Sequence, residues 1–276
     1  MAQELWLSEQ QLPQLQQLDA HYVARSGMED AISSGPLRGR PFGGVSIAWS
    51  RDLDNVISPL LNYKHKRIVA VELKELDNNY IFISVYMPFF DSRNRETCMV
   101  ETIDTISMLD IIIHDHPDHL IVLGGDLNTE FKGESPFDPL WYSFLTKNSL
   151  AYRSSRFSAP GYTYHHISLG HKKFNDHFFV SHAIASDHDY KILDEGENPS
   201  DHLPISMKMR LKFKDENLNE KLPSQGPRLK WDKVSAADKA KYHDRLEQML
   251  RSPSSEDVPP CPGGCHCKSP ECRRAI

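Results

Sequence analysis

The sequence predicts an α/β sandwich with largely antiparallel sheets, and three observations carry that reading. Short apolar segments rich in Val, Ile and aromatics recur along the first 213 residues and read as strands. Helical periods stand between some of them. Several strands are separated by breaks so short that only hairpins fit, which argues against a doubly wound parallel sheet.

FGGVSIAWS (42–50), IVAVELKEL (68–76) and NYIFISVYM (79–87) are predicted strands, and Asp77 with Asn78 forms the turn between the last two. Ser8 and Gln11 have the spacing of a capping box ahead of Leu12, Leu15 and Leu18, so a helix is predicted there. Residues 96–115 place Met99, Val100, Ile103, Ile106, Leu109 and Ile113 near a 3.6-residue period, and Pro117 closes that helix. The strand HLIVLGG follows, then a helix over 136–146. YTYHH, DHFFVSHA and LPISMKMRL supply three further strands. The body therefore spans 1–213, and 214–276 holds a polar linker, an amphipathic helix and a cysteine-rich tail. In that helix Ser235 is the N-cap, Asp238 stands three residues on, and Tyr242, Leu246 and Met249 form a stripe.

The chain is 39% hydrophobic and 25% charged, as expected of one large globular body with a small appendage. No apolar stretch reaches the ~18 residues of a membrane span. MAQELWLSEQQ lacks the basic and apolar regions of a secretory signal, so an intracellular setting is expected. The net charge of −6 gives no global attraction for nucleic acid, and a nucleic-acid partner needs a local basic face. Arg93, Arg95, Lys172 and Lys173 are candidates for it. Four of the five cysteines crowd the C-terminus. Cys261, Cys265, Cys267 and Cys272, with His266, form a thiol set suited to zinc, although the spacing is not a paired knuckle. A reducible tail is the other reading.

Four polar clusters at strand ends carry the chemistry: Glu4 in QELWL, Tyr86 in SVYMP, Asp126 and Asn128 in GGDLN, and Asp176 in FNDHFFVS together with Asp201 and His202 in SDHLPI. Asp126 and Asn128 follow a buried strand two residues apart, so both are expected to face one pocket. Phosphodiester hydrolysis requires such a set. Mg²⁺ prefers one or two carboxylates plus water and phosphate, and Glu4 suits that role. Asp126 or His202 can deprotonate a water, and Asn128 can hold that water or a phosphate oxygen. A cationic His202 is supported by a carboxylate behind it, for which Asp176 is the choice. The Tyr86 hydroxyl can bind a phosphate oxygen. HDHPDH (114–119) looks rich in metal ligands but falls where a helix turns into a strand. The second Ser-Asp-His, Ser186 to His188, lacks a following apolar run and reads as a loop. Thr163 in YTYHH is placed to approach the cleft.

GGDLNTEF, SVYMP, NDHFFVSH and SDHLPI together resemble the endonuclease/exonuclease/phosphatase superfamily, which includes DNase I-like and abasic-site endonucleases. QELWLSEQQLPQL, GRPFGGVSIAW, VYMP and PRLKWDKVS are similar, more narrowly, to the endonuclease segment of non-LTR (LINE-like) retrotransposons. The resemblance spans about residues 3–210, and the linker and helix to about 250 fit it too. It implies a four-layer DNase I-like sandwich and Mg²⁺- or Mn²⁺-dependent nicking of DNA, with no organic cofactor and no membrane partner, and a nuclear location. It implies that Glu4 binds metal with Asp201 beside metal and phosphate, that Tyr86 contacts phosphate, that Asp126 and Asn128 handle the water, and that Asp176 orients His202. The family pattern begins with a strand carrying an active-site asparagine, and here Met1 stands three residues before Glu4. A sandwich lacking that strand is expected to expose a sheet edge and leave Glu4 on a frayed end. A phosphatase of the same superfamily and a catalytically inactive remnant are the rival readings.

Overall fold

The structure is a computed structural model that describes residues 1–17, 20–27, 43–153, 160–166, 168–184, 189–194, 198, 200–213, 235, 237, 240, 241 and 244. The chain divides into two compact units, Met1–Lys221 and Leu222–Ile276. In the second unit Ala237, Ala240, Lys241 and Asp244 are helical and exposed. That i, i+3, i+4, i+7 set is one face of a helix. Tyr242, Leu246, Met249, the four tail cysteines and Ser186–His188 lie outside the described residues.

The first unit is built on a six-stranded sheet in the order β4 (Ile57–Pro59), β5 (Ile68–Lys74), β6 (Asn79–Tyr86), β7 (His119–Asp126), β11 (Asp176–Ser181), β8 (Leu150–Arg153). Every pairing in it is antiparallel except β6 with β7, which the helix α1 (Arg95–Asp115) connects in parallel. A second layer holds β1 (Ala2–Gln3), β3 (Val45–Trp49) and β2 (His21–Arg25) in one sheet, and β12 (Asp189–Ile192) with β13 (Ile205–Lys208) in another. β9 (Tyr164–His166) and β10 (His171–Lys173) form a separate hairpin. The expected DNase I-like α/β sandwich is therefore the fold observed.

Strand alternation sorts the core into two layers. Ile68, Ala70, Ile81, Ile83, Val85, Ile121, Leu123 and Phe179 point to the helices. Val69, Val71, Leu73, Tyr80, Val122 and Val180 point to the second sheet layer, where Val23, Val45 and Ile47 meet them. Side chains of period two on both faces are what a sheet buried on both sides demands.

The helices differ from the sequence expectation in instructive ways. The buried stripe of α1 is Thr102, Thr105, Ile106, Leu109 and Ile112, whereas Val100 and Ile103 are exposed. The two threonines bond back to the carbonyls of Cys98 and Glu101 at 2.7 Å, so their hydroxyls are satisfied within the helix and they pack as small apolar groups. The segment after Ser8 has half of the capping contact, Ser8 N donating to Gln11 Oε1 at 3.0 Å, but continues as a 3₁₀ turn, Leu12–Gln17, and not as an α-helix. Pro13 lies inside it and cannot supply a backbone donor. α2 (Asp138–Lys147) buries Trp141, Phe144 and Leu145.

Glu4 is not on a frayed end. β1 pairs Ala2 with Ser46 and Gln3 with Val45, and Gln3 Nε2 donates to the buried Ser84 hydroxyl at 2.8 Å. Among the described residues, β1 pairs with β3 and β13 with β12, and each leaves its other edge unpaired. A groove of about 440 Å³ bordered by Met1, Ala2, Phe82, Val122, Phe178 and Met207 lies there.

Gly125 adopts φ 156°, and a Cβ there would overlap the Val85 carbonyl oxygen across the β6–β7 pairing. Gly125→Ala is expected to force those strands apart and lower the unfolding midpoint sharply. Gly133→Ala, also at positive φ (79°) but with nothing within 4 Å, is expected to cost only its backbone strain, about 1–2 kcal/mol. Urea denaturation of both variants checks the difference.

Candidate active site

A single cross-strand row brings three of the site residues together. Tyr86 on β6 stands opposite Asp126 on β7, and Asp126 stands opposite Asp176 on β11. His202 arrives from the loop before β13. Its Nδ1 lies 2.8 Å from Asp176 Oδ2, and its Nε2 faces Asp126 Oδ2 across 4.0 Å. The imidazole thus stands between two carboxylates, in hydrogen-bond contact with one and separated from the other by a gap that a phosphate oxygen or a water can bridge. Burial alone would lower the His202 pKa. The hydrogen bond that His202 donates to Asp176 and the charges of Asp176, Asp126 and Asp201 overcome it and raise the pKa to about 9. His202 is accordingly cationic at neutral pH. Burial and the Asp176 charge push Asp126 well above the ordinary carboxylate range, opposed by the His202 charge and the Asn128 amide.

A cleft of about 750 Å³ is lined by Glu4, Asp126, Asp176, Asp201 and His202, together with Gln3, Trp6, His166, Ser168 and Ser200. Asn128 and Tyr86 stand behind this wall. Asn128 has φ 50°, which breaks the same-side rule for i and i+2. Its backbone amide caps Asp126 Oδ1 at 3.0 Å and its Nδ2 donates to the Met87 carbonyl at 2.9 Å. It borders an adjoining cavity of about 220 Å³ and not the cleft. The Tyr86 hydroxyl donates to Glu4 Oε1 at 2.6 Å. Burial, then the charges of Glu4 and Asp126, raise its pKa, so it stays a donor at any working pH.

Thr163, expected from the sequence to approach the cleft, and several residues that the sequence reading passed over hold this set in place. Thr163, fully buried, accepts the amides of Asn175 and Asp176 on one hydroxyl, both at 3.0 Å. Leu203 N donates to its carbonyl at 2.7 Å, so Thr163 ties the Asp176 strand to the His202 loop. Arg67 lies with its guanidinium carbon 5.5 Å from the centre of the Tyr86 ring and its Nη2 2.7 Å from Glu101 of α1. His177 Nε2 reaches the Thr129 carbonyl at 2.7 Å, and because a carbonyl only accepts, the ring nitrogen carries the proton. Its Nδ1 accepts from the Tyr152 hydroxyl at 2.9 Å. Thr129 in turn donates to Asp138 at 2.6 Å. Thr129 and His177 lie inside GGDLNTEF and NDHFFVSH, whereas Arg67, Tyr152 and Asp138 stand outside the motifs and carry no sequence signal.

HDHPDH is a structural junction. His119 pairs with Glu72 at 3.0 Å, Tyr63 donates to Asp115 at 2.9 Å, and the His116 and His119 rings meet edge to face. Among the described residues no three His, Cys, Asp or Glu side chains converge as a metal-binding group. A site of the Mg²⁺ type does not need three, because water and phosphate complete the shell. Among the described residues four carboxylates line the cleft beside the cationic His202. That surplus of hard oxygen donors fits a divalent ion.

The Endonuclease/Exonuclease/phosphatase family model matches residues 1–202, and the chain belongs to that family, a superfamily of hydrolytic nucleases and phosphatases. Among solved structures, the endonuclease domain of TRAS1, a telomere-specific non-LTR retrotransposon, aligns with TM-score 0.52 and 16% identity over 70% of this chain and 81% of that one. A 3′ phosphatase (NExo) from Neisseria, bound to product DNA hairpin, aligns with TM-score 0.52 and 21% identity over 75% and 87%. No curated protein matches the chain.

Two outcomes are expected. The folded pKa of His202 is above the unfolded value of 6.5, so its pair with Asp176 stabilises the fold fully below pH 6.5 and that contribution fades as pH rises through about 9. The melting-temperature advantage of wild type over His202→Gln is therefore expected to shrink along that interval. Thr163→Val removes the acceptor of two buried amides and is expected to cost about 1–3 kcal/mol of stability in chemical denaturation.

Proposed function

We propose that the chain is a metal-dependent phosphodiester hydrolase that nicks DNA, of the non-LTR retrotransposon endonuclease type. The observation that supports it best is the cationic His202 held between Asp176 and Asp126 at the floor of a carboxylate-lined cleft. Glu4 and Asp201 would hold the divalent ion, Mg²⁺ or Mn²⁺. When bound, it supplies charge neutralisation at the phosphate and at the leaving oxygen.

The chain's own residues divide the rest of the work. Asp176 accepts at His202 Nδ1 and so aims the Nε2–H into the gap toward Asp126. A phosphate oxygen in that gap receives a charge-assisted hydrogen bond, which strengthens as negative charge grows in the transition state. Asp126, across the gap from His202 Nε2, is placed to take the proton from an attacking water. Asn128 keeps Asp126 in place through its backbone amide. Tyr86 orients the Glu4 carboxylate by its hydroxyl. Lys172 and Lys173 on the β9–β10 hairpin offer backbone phosphate contacts beside the cleft. DNA as partner and a nuclear setting belong to the same reading. No helix among the described residues is long and apolar enough to cross a membrane.

Full-length protein is expected to convert supercoiled plasmid to the nicked form with Mg²⁺ and to stop when EDTA is added. Asp126→Ala and His202→Ala are each expected to reduce nicking by roughly 10²–10⁴-fold. Release of inorganic phosphate from a 3′-phosphorylated oligonucleotide, without nicking, would instead assign the phosphatase reaction.

A further inference from the structure

The loop that carries His202 is held against β9 by a short ladder. Leu203 N donates to the Thr163 carbonyl at 2.7 Å and His165 N donates to the Asp201 carbonyl at 2.8 Å, which sets Tyr164 directly opposite His202. Bonds made by the flanking residues mark a non-hydrogen-bonded antiparallel pair. In such a pair the opposed Cα atoms come closest, at about 4.5 Å, and the two side chains share one face. The observed contact follows from that register: the Tyr164 ring lies against the His202 imidazole, with centroids 5.0 Å apart and planes at 54°. Tyr164 is itself steadied by His166, two residues along the same strand and therefore on the same face, with ring centroids 6.5 Å apart and planes at 80°.

One hydrogen bond does not fix an imidazole. The bond from Nδ1 to Asp176 holds a single ring atom, and the ring can still swing about that contact. Nε2 is not tied down in the same way, since Asp126 Oδ2 stands 4.0 Å from it. A second contact on the ring is needed to keep Nε2 directed at the gap, and the tyrosine supplies it. The phenol suits the place electrically. Burial, then the charges of Asp201, Glu4 and Asp126, raise its pKa, so it stays neutral beside the cationic imidazole.

We propose that Tyr164 is a positioning residue for His202, its ring holding the imidazole so that Nε2 stays aimed at the scissile phosphate. The inference rests on the nuclease reading above. The ring and not the hydroxyl makes the contact, so phenylalanine serves in its place and an aliphatic side chain does not. The same ladder takes the Asp201 carbonyl, so β9 sets the backbone of the histidine and of the neighbouring carboxylate together.

The test is Mg²⁺-dependent nicking by full-length protein, with kcat and KM measured separately for Tyr164→Phe and Tyr164→Leu, each made also in the His202→Ala background. Tyr164→Leu is expected to lower kcat roughly 10-fold with KM nearly unchanged, and Tyr164→Phe to recover most of that loss. In the His202→Ala background Tyr164→Leu is expected to cost nothing further, because a residue that acts through another is silent once the other is gone. A second readout needs no turnover. The Nδ1 proton of His202, observed by NMR of histidine-labelled full-length protein in EDTA and assigned by its loss in His202→Gln, is expected to be sharp in wild type and Tyr164→Phe and broadened in Tyr164→Leu. Tyr164→Phe as impaired as Tyr164→Leu, a Tyr164→Leu loss that persists in full without His202, or an Nδ1 signal unaltered in Tyr164→Leu overturns the proposal while leaving the nuclease reading intact. Wild-type protein that does not nick overturns that reading, and the Nδ1 signal then decides by itself whether Tyr164 holds the imidazole.

Discussion

The register between β6, β7 and β11 is the constraint on which the rest depends. One row, Tyr86–Asp126–Asp176, places a hydroxyl and two carboxylates side by side on three adjacent strands of the large sheet. Side chains alternate between faces along each strand, so a slip of one residue in either pairing would send the corresponding group to the helical face. Register here is heavily specified, because both faces are buried against apolar layers. The same hydrophobic sorting that folds the sheet therefore also sets the separation of the reactive groups. Gly125 belongs to this constraint, since the Val85 carbonyl occupies the space a side chain would need.

Close packing of carboxylates has a cost that shapes the surrounding structure. Asp126 is 3% exposed and faces a second carboxylate across the strand pair. Without a cation the pair repels in a poorly solvated setting. His202 answers part of this, and its own position depends on Thr163 gripping both the strand of Asp176 and the loop of Leu203. The loop after Asp126 is fixed from the other side by the relay from His177 through Thr129 to Asp138 at the start of α2. Core packing and site geometry are thus one network, because the residues that satisfy buried polar groups are the ones that aim the side chains of the cleft.

Much of this was legible in the amino-acid order. β5, β6, β7 and β11 are long or strongly apolar, and their runs of Val, Ile, Leu and aromatic residues identified them. GGDLN and SDHLPI stood out because polar groups at strand ends are rare outside turns and sites. The short edge strands were not legible. β2 (HYVAR) and β8 (LAYR) carry too few apolar residues to show a period, and β1 exists only because Val45 and Ser46 are there to pair with it. The stripe of α1 was misplaced because threonines counted as polar, whereas their bonds to the preceding turn let them pack inward. Asn128 was expected to share a pocket with Asp126, and a left-handed backbone turns it aside. Periodicity arguments assume regular dihedrals and fail where the chain departs from them.

The contact between Tyr86 and Glu4 joins the centre of the six-stranded sheet to β1, the strand with the fewest paired residues among those described. β1 contributes two paired residues, whereas β6 and β7 pair over eight. The free energy needed to lift such a segment is a small fraction of that needed to unfold the sheet. The placement of Glu4 is therefore coupled to a local opening event and not to global denaturation. Loss of the two β1 pairings would release Glu4 from Tyr86 while the pairing of β6 with β7 stays intact.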